Sequence, residues 1–187
     1  YFGNLISDKE YSDYLYNLIY TLFEVKFKRI IDKKRNCITL RLRSKKLFYY
    51  YKDILNIPSG PKNDLKIPPY ILKNDDYLIN FLRGLFDTDG CITLQRDGKY
   101  KYFILKFTMK DECFAESVRD ALLSLKIPCY ICKKNFHMQK AIGFDVVIRN
   151  KNVNLFFEII GSNNSRNKLK WERGDLNPNF GSSNIVT

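Results

Sequence analysis

Two carboxylates, Asp87 and Asp89, close an apolar run with helical spacing (Ile79, Leu82, Leu85, Phe86), and Gly90 follows them as a helix stop. The C-terminal end of a helix carries negative partial charge, so an acid there is electrostatically disfavoured unless a cation joins it. Gly84 and Thr88 lie four apart, on one helical face, where a second helix could approach closely. An acid at the end of a closely packed helix reads as a metal site. A strand-like stretch, Cys91-Ile92-Thr93-Leu94-Gln95, comes next.

The nonapeptide Leu82-Arg83-Gly84-Leu85-Phe86-Asp87-Thr88-Asp89-Gly90 resembles the motif of the LAGLIDADG homing endonucleases, intein endonucleases and intron maturases. Leu82, Gly84, Leu85, Asp87, Asp89 and Gly90 match it; Arg83, Phe86 and Thr88 depart. The resemblance implies that Asp89, the last acid, holds a divalent cation, Mg²⁺ or Mn²⁺, at the junction of two helices, with the Thr88 carbonyl as a further ligand. Hard oxygen donors suit such an ion. Asp87 reads instead as support for packing or for the helix end. By the family's habit, basic residues near each repeat's end polarise water or phosphate, which nominates Lys66 in the first repeat and Lys168 or Lys170 in the second. Met109 and Ile6 stand where the family often places a glutamine, which puts a water-ordering role there in doubt.

The elements that must position these residues repeat along the chain. Asp8-Lys9-Glu10-Tyr11 and Asp111-Glu112-Cys113-Phe114 each open an apolar-periodic helix behind an N-cap aspartate. Two strand-like runs follow each helix, at about 24–32 and 37–43, then at about 128–135 and 142–149. Ser44 and Asn150 would cap the next helix, and Lys62-Asn63-Asp64-Leu65-Lys66 lines up with Arg166-Asn167-Lys168-Leu169-Lys170. The expected fold is α+β: two pseudo-symmetric αββαββα repeats with saddle-shaped antiparallel sheets, spanning 1–70 and 71–171, before a loose tail at 172–187. The first repeat lacks its motif helix and first strand. Either the chain is a fragment, the favoured reading, or that motif is absent. The molecule would be a monomer if an upstream motif exists, and would otherwise need a partner chain over the Gly84–Thr88 helix face.

Composition constrains the partner. Lys and Arg outnumber Asp and Glu by 32 to 20 in 187 residues, a net charge of +12, which points to a polyanion. Alternation along the strands places polar residues on one face: Lys26 and Lys28, then Thr39, Arg41 and Arg43 in the first repeat; Thr93 and Gln95, then Arg149 in the second, with Lys99 and Lys101 flanking the turn at Asp97-Gly98. Such side chains can reach base edges in the major groove. No apolar run approaches 18 residues, so no membrane partner is expected. Five cysteines without framework spacing fit a reducing compartment. Cys129 and Cys132 would face opposite sides of a strand, and His137 has no cysteine pair at zinc-finger spacing, so a structural zinc is not expected.

The function read from these features is a site-specific double-strand DNA endonuclease, metal-dependent, recognising a long asymmetric site. The alternative is a non-cleaving nucleic-acid-binding protein of the same fold, an intron maturase acting on intron RNA or a degenerate regulator. With Asp89 alone the chain supplies one acid where the reaction wants two. Expected localisation is the cytoplasm of an archaeon or an organellar matrix.

Overall fold

The computed structural model describes residues 2–57, 64–97, 100–136 and 141–175. Its second half is the more completely packed. After the helices of the first half (α1 Lys9–Phe23 and α2 Lys45–Tyr49) and a single turn, α3 (Pro69–Leu72), the helix α4 spans Asp75–Asp89. Asn74 caps it, its side-chain oxygen accepting the Tyr77 N–H at 3.0 Å, and Asp75 and Asp76 complement the positive end of the helix dipole. Leu78, Leu82 and Phe86, spaced by four, form its buried stripe. Leu78 rather than Ile79 opens that stripe. The chain then passes directly into β4 (Gly90–Asp97), β5 (Tyr100–Met109), α5 (Glu112–Ser124), β6 (Tyr130–Phe136), β7 (Ala141–Arg149), α6 (Lys151–Ile159) and α7 (Ser165–Asp175).

The four strands form an antiparallel sheet in the order β4-β5-β7-β6, with Ile92 opposite Leu105, and Phe107 opposite Val146. One face buries Ile92, Phe103, Leu105, Phe107, Val146 and Ile148 beneath the helices. At its centre Phe86 meets Phe156 at 5.0 Å and Phe107 at 5.8 Å, both edge to face, a geometry that adds to area burial. Trp171 of α7 stacks on Phe157 at 4.7 Å. Asp111 caps α5 through the Phe114 N–H at 2.7 Å, as its sequence position predicts. Asn150 does not cap α6: it adopts φ 54°, makes no side-chain cap bond, and donates its own N–H to the Phe103 carbonyl at 3.3 Å.

The first half repeats this plan in part. It places β1 (Phe2–Asn4), α1, β2 (Lys28–Asp32), β3 (Cys37–Arg41), α2 and a π-helical turn over Tyr50–Ile54. Its sheet runs β1-β3-β2, matching β5-β7-β6 of the other half; the position of β4 has no counterpart among the described residues. Ser44 does cap α2, through the Leu47 N–H at 3.3 Å. With Ser44 and Asn150 equivalent, the positions of Phe156 and Ile160 fall on Tyr50 and Ile54. Phe156 and Ile160 are buried, whereas Tyr50 and Ile54 are 41% and 70% exposed. Phe156 meets Phe86 edge to face, whereas Tyr50 meets Phe23 of α1 at 6.2 Å.

The halves also exchange their ends. Ile67, beyond the first half's last strand, is buried in the core of the second, donating its N–H to Ser117 Oγ at 3.0 Å, and the Asp64 N–H meets the Asp111 carboxylate at 2.8 Å. Reciprocally, Asn163 reaches the Tyr14 hydroxyl at 3.0 Å, and Arg166 pairs with the buried Asp8 at 3.2 Å. Helices α1 and α5 therefore each hold the closing segment of the other repeat. Among the described residues no helix is long and apolar enough to cross a membrane.

Candidate nucleic-acid interface and metal site

Asp89 is the last residue of α4, and it is exposed. Asp87, two residues earlier, is buried at 2% exposure and has a different task. Its carboxylate accepts the Ser162 hydroxyl and, at 2.9 Å, the Asn163 N–H; its carbonyl accepts Asn164 Nδ2 at 3.2 Å. These bonds tie the end of α4 to the loop between α6 and α7. Burial pushes the Asp87 carboxyl above its ordinary value, and the hydrogen bonds from Ser162 and Asn163 oppose that. Asp87 supports the helix end, as its position suggests. Asp89 remains as the carboxylate free to face a ligand.

Thr88 stands beside it, exposed, its hydroxyl within reach of the Gly84 carbonyl at 3.0 Å and of Asp89 Oδ2 at 3.1 Å. Gly84 is also exposed, and a Cβ built there would meet nothing within 4 Å. The small-residue face is therefore open. Gly90 has another basis than a left-handed helix cap. Its φ is −79°, but a Cβ would come within 2.5 Å of the Phe86 carbonyl oxygen, so the strand can leave α4 at this angle only without a side chain.

Among the described residues no three Cys, His, Asp or Glu side chains converge as a metal cluster. The donors at the end of α4 are the Asp89 carboxylate and the neighbouring backbone oxygens. That set fits a hard cation of the Mg²⁺ type, which takes one or two carboxylates and completes its shell with water and substrate phosphate. The same set, with the negative end of the helix beside it, suits no anion.

A polar cavity of ≈ 360 Å³ opens next to Thr88, lined among others by Asn4, Asp8, Asp87 and Arg166. Arg166 is the cation that the second repeat's closing segment delivers there. Lys168 and Lys170, on the same helix, are exposed and do not line it. Lys66 is exposed next to Ile67, on the segment that docks against α5. The three lysines named from the sequence are thus not gathered around this cavity. The Lys62-to-Lys66 and Arg166-to-Lys170 alignment contained Arg166, but nothing in the sequence tells which basic residue of the stretch turns inward.

On the face of the first sheet turned away from α1, Lys28 lies directly opposite Arg41, and Ile30 opposite Thr39. Like charges opposite one another destabilise a sheet unless something anionic lies over them. Thr39 and Arg41 keep their expected face, since Ile38 and Leu40 are buried beneath them. Two residues depart from expectation. Lys26 precedes β2, and its Nζ lies over the Tyr20 ring of α1 at 5.8 Å, so it belongs to the helical side. Arg43 is exposed but follows the end of β3, in the link to α2.

On the second sheet Thr93 and Gln95 are exposed opposite Ile104 and Tyr102, and Arg149 is exposed opposite Ile104 on the other side. The Arg149 guanidinium lies 5.3 Å from the Tyr130 ring centroid. Lys101 is exposed but has the strand parity of the buried Phe103 and Leu105, so it does not share the face of Thr93 and Gln95. Lys101 sits near the hairpin end, past the core, which leaves it exposed. Lys99, Gly98 and His137 lie outside the described residues. Sequence reasoning missed Lys106, Tyr102 and Tyr130 on this face; the alternation of β5 with its buried odd-numbered residues would have found the first two. Cys129 precedes β6 and Cys132 is exposed on it; all five cysteines are free. Burial pushes the Cys129 thiol up to about 11.

Residues 76–161 match the family model of the LAGLIDADG-like domain. Solved structures of the homing endonuclease I-DmoI share the fold. I-DmoI in complex with DNA and Ca is 20% identical, covering 91% of this chain and 81% of that one, with a TM-score of 0.58. A variant with its target DNA and Mg is 21% identical over 85% and 77%, with a TM-score of 0.54. Another with target DNA and Mn is 21% identical over 87% and 78%, with a TM-score of 0.55. At these identities the likeness is one of fold. No curated protein matches the sequence significantly.

Proposed function

We propose, from the premise that residues 76–161 form a LAGLIDADG-like domain on an I-DmoI-like fold, that this chain is a metal-dependent, site-specific DNA endonuclease or the DNA-reading part of one. The observation that carries the reading is Asp89: an exposed carboxylate at the negative end of α4, beside an open face of small residues. A cation of the Mg²⁺ type bound there would activate water and stabilise the leaving oxygen of a phosphodiester. Asp89 would hold that ion with the Thr88 carbonyl. Asp87, through Ser162 and Asn163, fixes the helix end on which Asp89 stands. The Gly84–Thr88 face would receive a second helix bearing the second acid, from another part of the polypeptide or from a second copy.

The outward faces of the two sheets would lie in the major groove, with Lys28, Thr39 and Arg41 on one and Thr93, Gln95 and Arg149 on the other. Because these sets differ, the site read would be asymmetric. Lys66, Lys168 and Lys170, exposed at the repeat ends, would meet phosphate rather than the reacting centre.

A second reading, a non-cleaving DNA- or RNA-binding protein of this fold, is favoured by one fact. Asp87 is engaged by the α6–α7 loop, which leaves Asp89 as the single available acid at that end of α4. The two readings separate on a duplex selected from a randomised library by the protein itself. The endonuclease reading predicts cleavage of that duplex with Mg²⁺ or Mn²⁺, and a loss of at least ~10²-fold in rate for Asp89→Asn with binding retained. Binding without cleavage by the wild-type chain, alone and with a second copy in excess, would leave the binding-protein reading standing.

A further inference from the structure

The outward face of the four-stranded sheet carries a single carboxylate among the side chains described there, Asp145, and an acid is out of place on a face that meets a polyanion. Asp145 is 4% exposed. It sits on β7 opposite Thr108 of β5 and Cys132 of β6. Its Oδ1 accepts the Thr108 hydroxyl at 2.7 Å, and its Oδ2 lies 3.7 Å from Lys106 Nζ. Filling the sheet does not require this charge: Val147, the next outward residue of β7, is buried to 2% with an apolar side chain. A buried carboxylate is costly unless its partners return the cost, so Asp145 is explained by what it does to Lys106.

Lys106 keeps 38% of its side chain exposed, standing over the face rather than within it. An unanchored lysine samples many rotamers and meets phosphate as a point charge. Paired with one carboxylate at 3.7 Å, beyond hydrogen-bond length, its ammonium keeps its N–H donors, and the acceptor pair O6 and N7 of guanine is the matching ligand in the major groove. Its charge is already balanced by Asp145, so it gains little from a phosphate. The ion pair biases its orientation before DNA arrives, which reduces the ordering lost on binding.

We propose that Asp145 is a positioning residue that presents Lys106 as the reader of one guanine in the recognised site. The inference rests on the DNA-binding reading above and adds the residue pair that sets one base of the specificity. Binding-site selection from a randomised duplex library tests it, comparing wild type, Asp145→Asn and Lys106→Ala, with thermal unfolding of each. Asparagine can still accept from Thr108, so the sheet is expected to hold. The expected result is one guanine-preferring position, about 10- to 100-fold over other bases, that disappears in both variants while the remaining positions persist. Asp145→Asn should bind unrelated duplex at least as well as wild type, since an acid has been removed.

Retention of every position by Asp145→Asn would overturn the proposal, as would an even weakening of all positions, the mark of a purely structural role. If Asp145→Asn does not fold, Lys106→Ala decides, and an unchanged guanine preference in it overturns the proposal. A wild-type protein that selects no sequence at all would overturn the DNA-binding reading, and this inference with it.

Discussion

At the scale of single residues, the two aspartates of the motif separate by burial, and the separation is measurable. Asp87 supplies acceptors to a buried hydroxyl and a half-buried N–H. Replacing it by Ala removes the acceptor of the Asn163 N–H and leaves the Ser162 hydroxyl only its longer bond to the Asn164 carbonyl at 3.3 Å, at about 1–3 kcal/mol in all, and thermal or urea unfolding of Asp87→Ala should register that loss. Asp87→Asn should lose less than half as much, because its carbonyl can still accept from Asn163 while its NH₂ donates to Ser162. Equal losses for the two variants would contradict this account of the helix end. The family resemblance assigned the metal to Asp89 and support to Asp87, and the burial of Asp87 agrees with the second. The sequence did not reveal Ser162, Asn163 or Asn164, which lie some seventy-five residues away and have no local pattern that marks them. Asp8 is a similar case: it is legible as a helix start, yet its side chain makes no cap bond and serves Asn4 and Arg166 instead.

Among elements, α4 and the junction that follows it carry two glycines whose demands are opposite. Gly90 has no room for a Cβ against Phe86, so Gly90→Ala should cost about 1–3 kcal/mol as the strand is forced off the helix. Gly84 faces open space, and Gly84→Ala should stabilise α4 by up to about 1 kcal/mol through helix propensity. Denaturation of the two variants side by side checks both signs. A Gly84→Ala loss like that of Gly90→Ala would mean that the small-residue face is already closed in this chain. Strand faces were legible where strands cross the core, as with Thr39, Arg41, Thr93, Gln95 and Arg149. They were misread where an element ends, as with Lys26 before β2 and Arg43 after β3. Alternation is a consequence of one-sided burial and carries no information where burial stops.

For the whole molecule, the repeat was legible because both halves carry the same order of periodic apolar segments, although the second buries far more of them, and the excess of positive charge was legible by counting. What could not be read is how the halves interlock: Asp111 and Ser117 hold the segment at 64–67, and Asp8 and Tyr14 hold the segment at 163–166. That exchange brings Arg166, rather than Lys168 or Lys170, to the cavity beside Thr88. It also leaves the first half with Tyr50 and Ile54 exposed where Phe156 and Ile160 are core. The charged outer faces and the acid at the end of α4 acquire a common purpose only if a divalent ion joins Asp89 to a DNA phosphate. Mn²⁺ binding, followed by electron paramagnetic resonance, should be measured on the complex of the chain with its selected duplex, for wild type and Asp89→Asn. The account predicts a DNA-dependent Mn²⁺ site in the wild-type complex that is absent from the Asp89→Asn complex at equal DNA occupancy. Equal Mn²⁺ binding by the two complexes would contradict it.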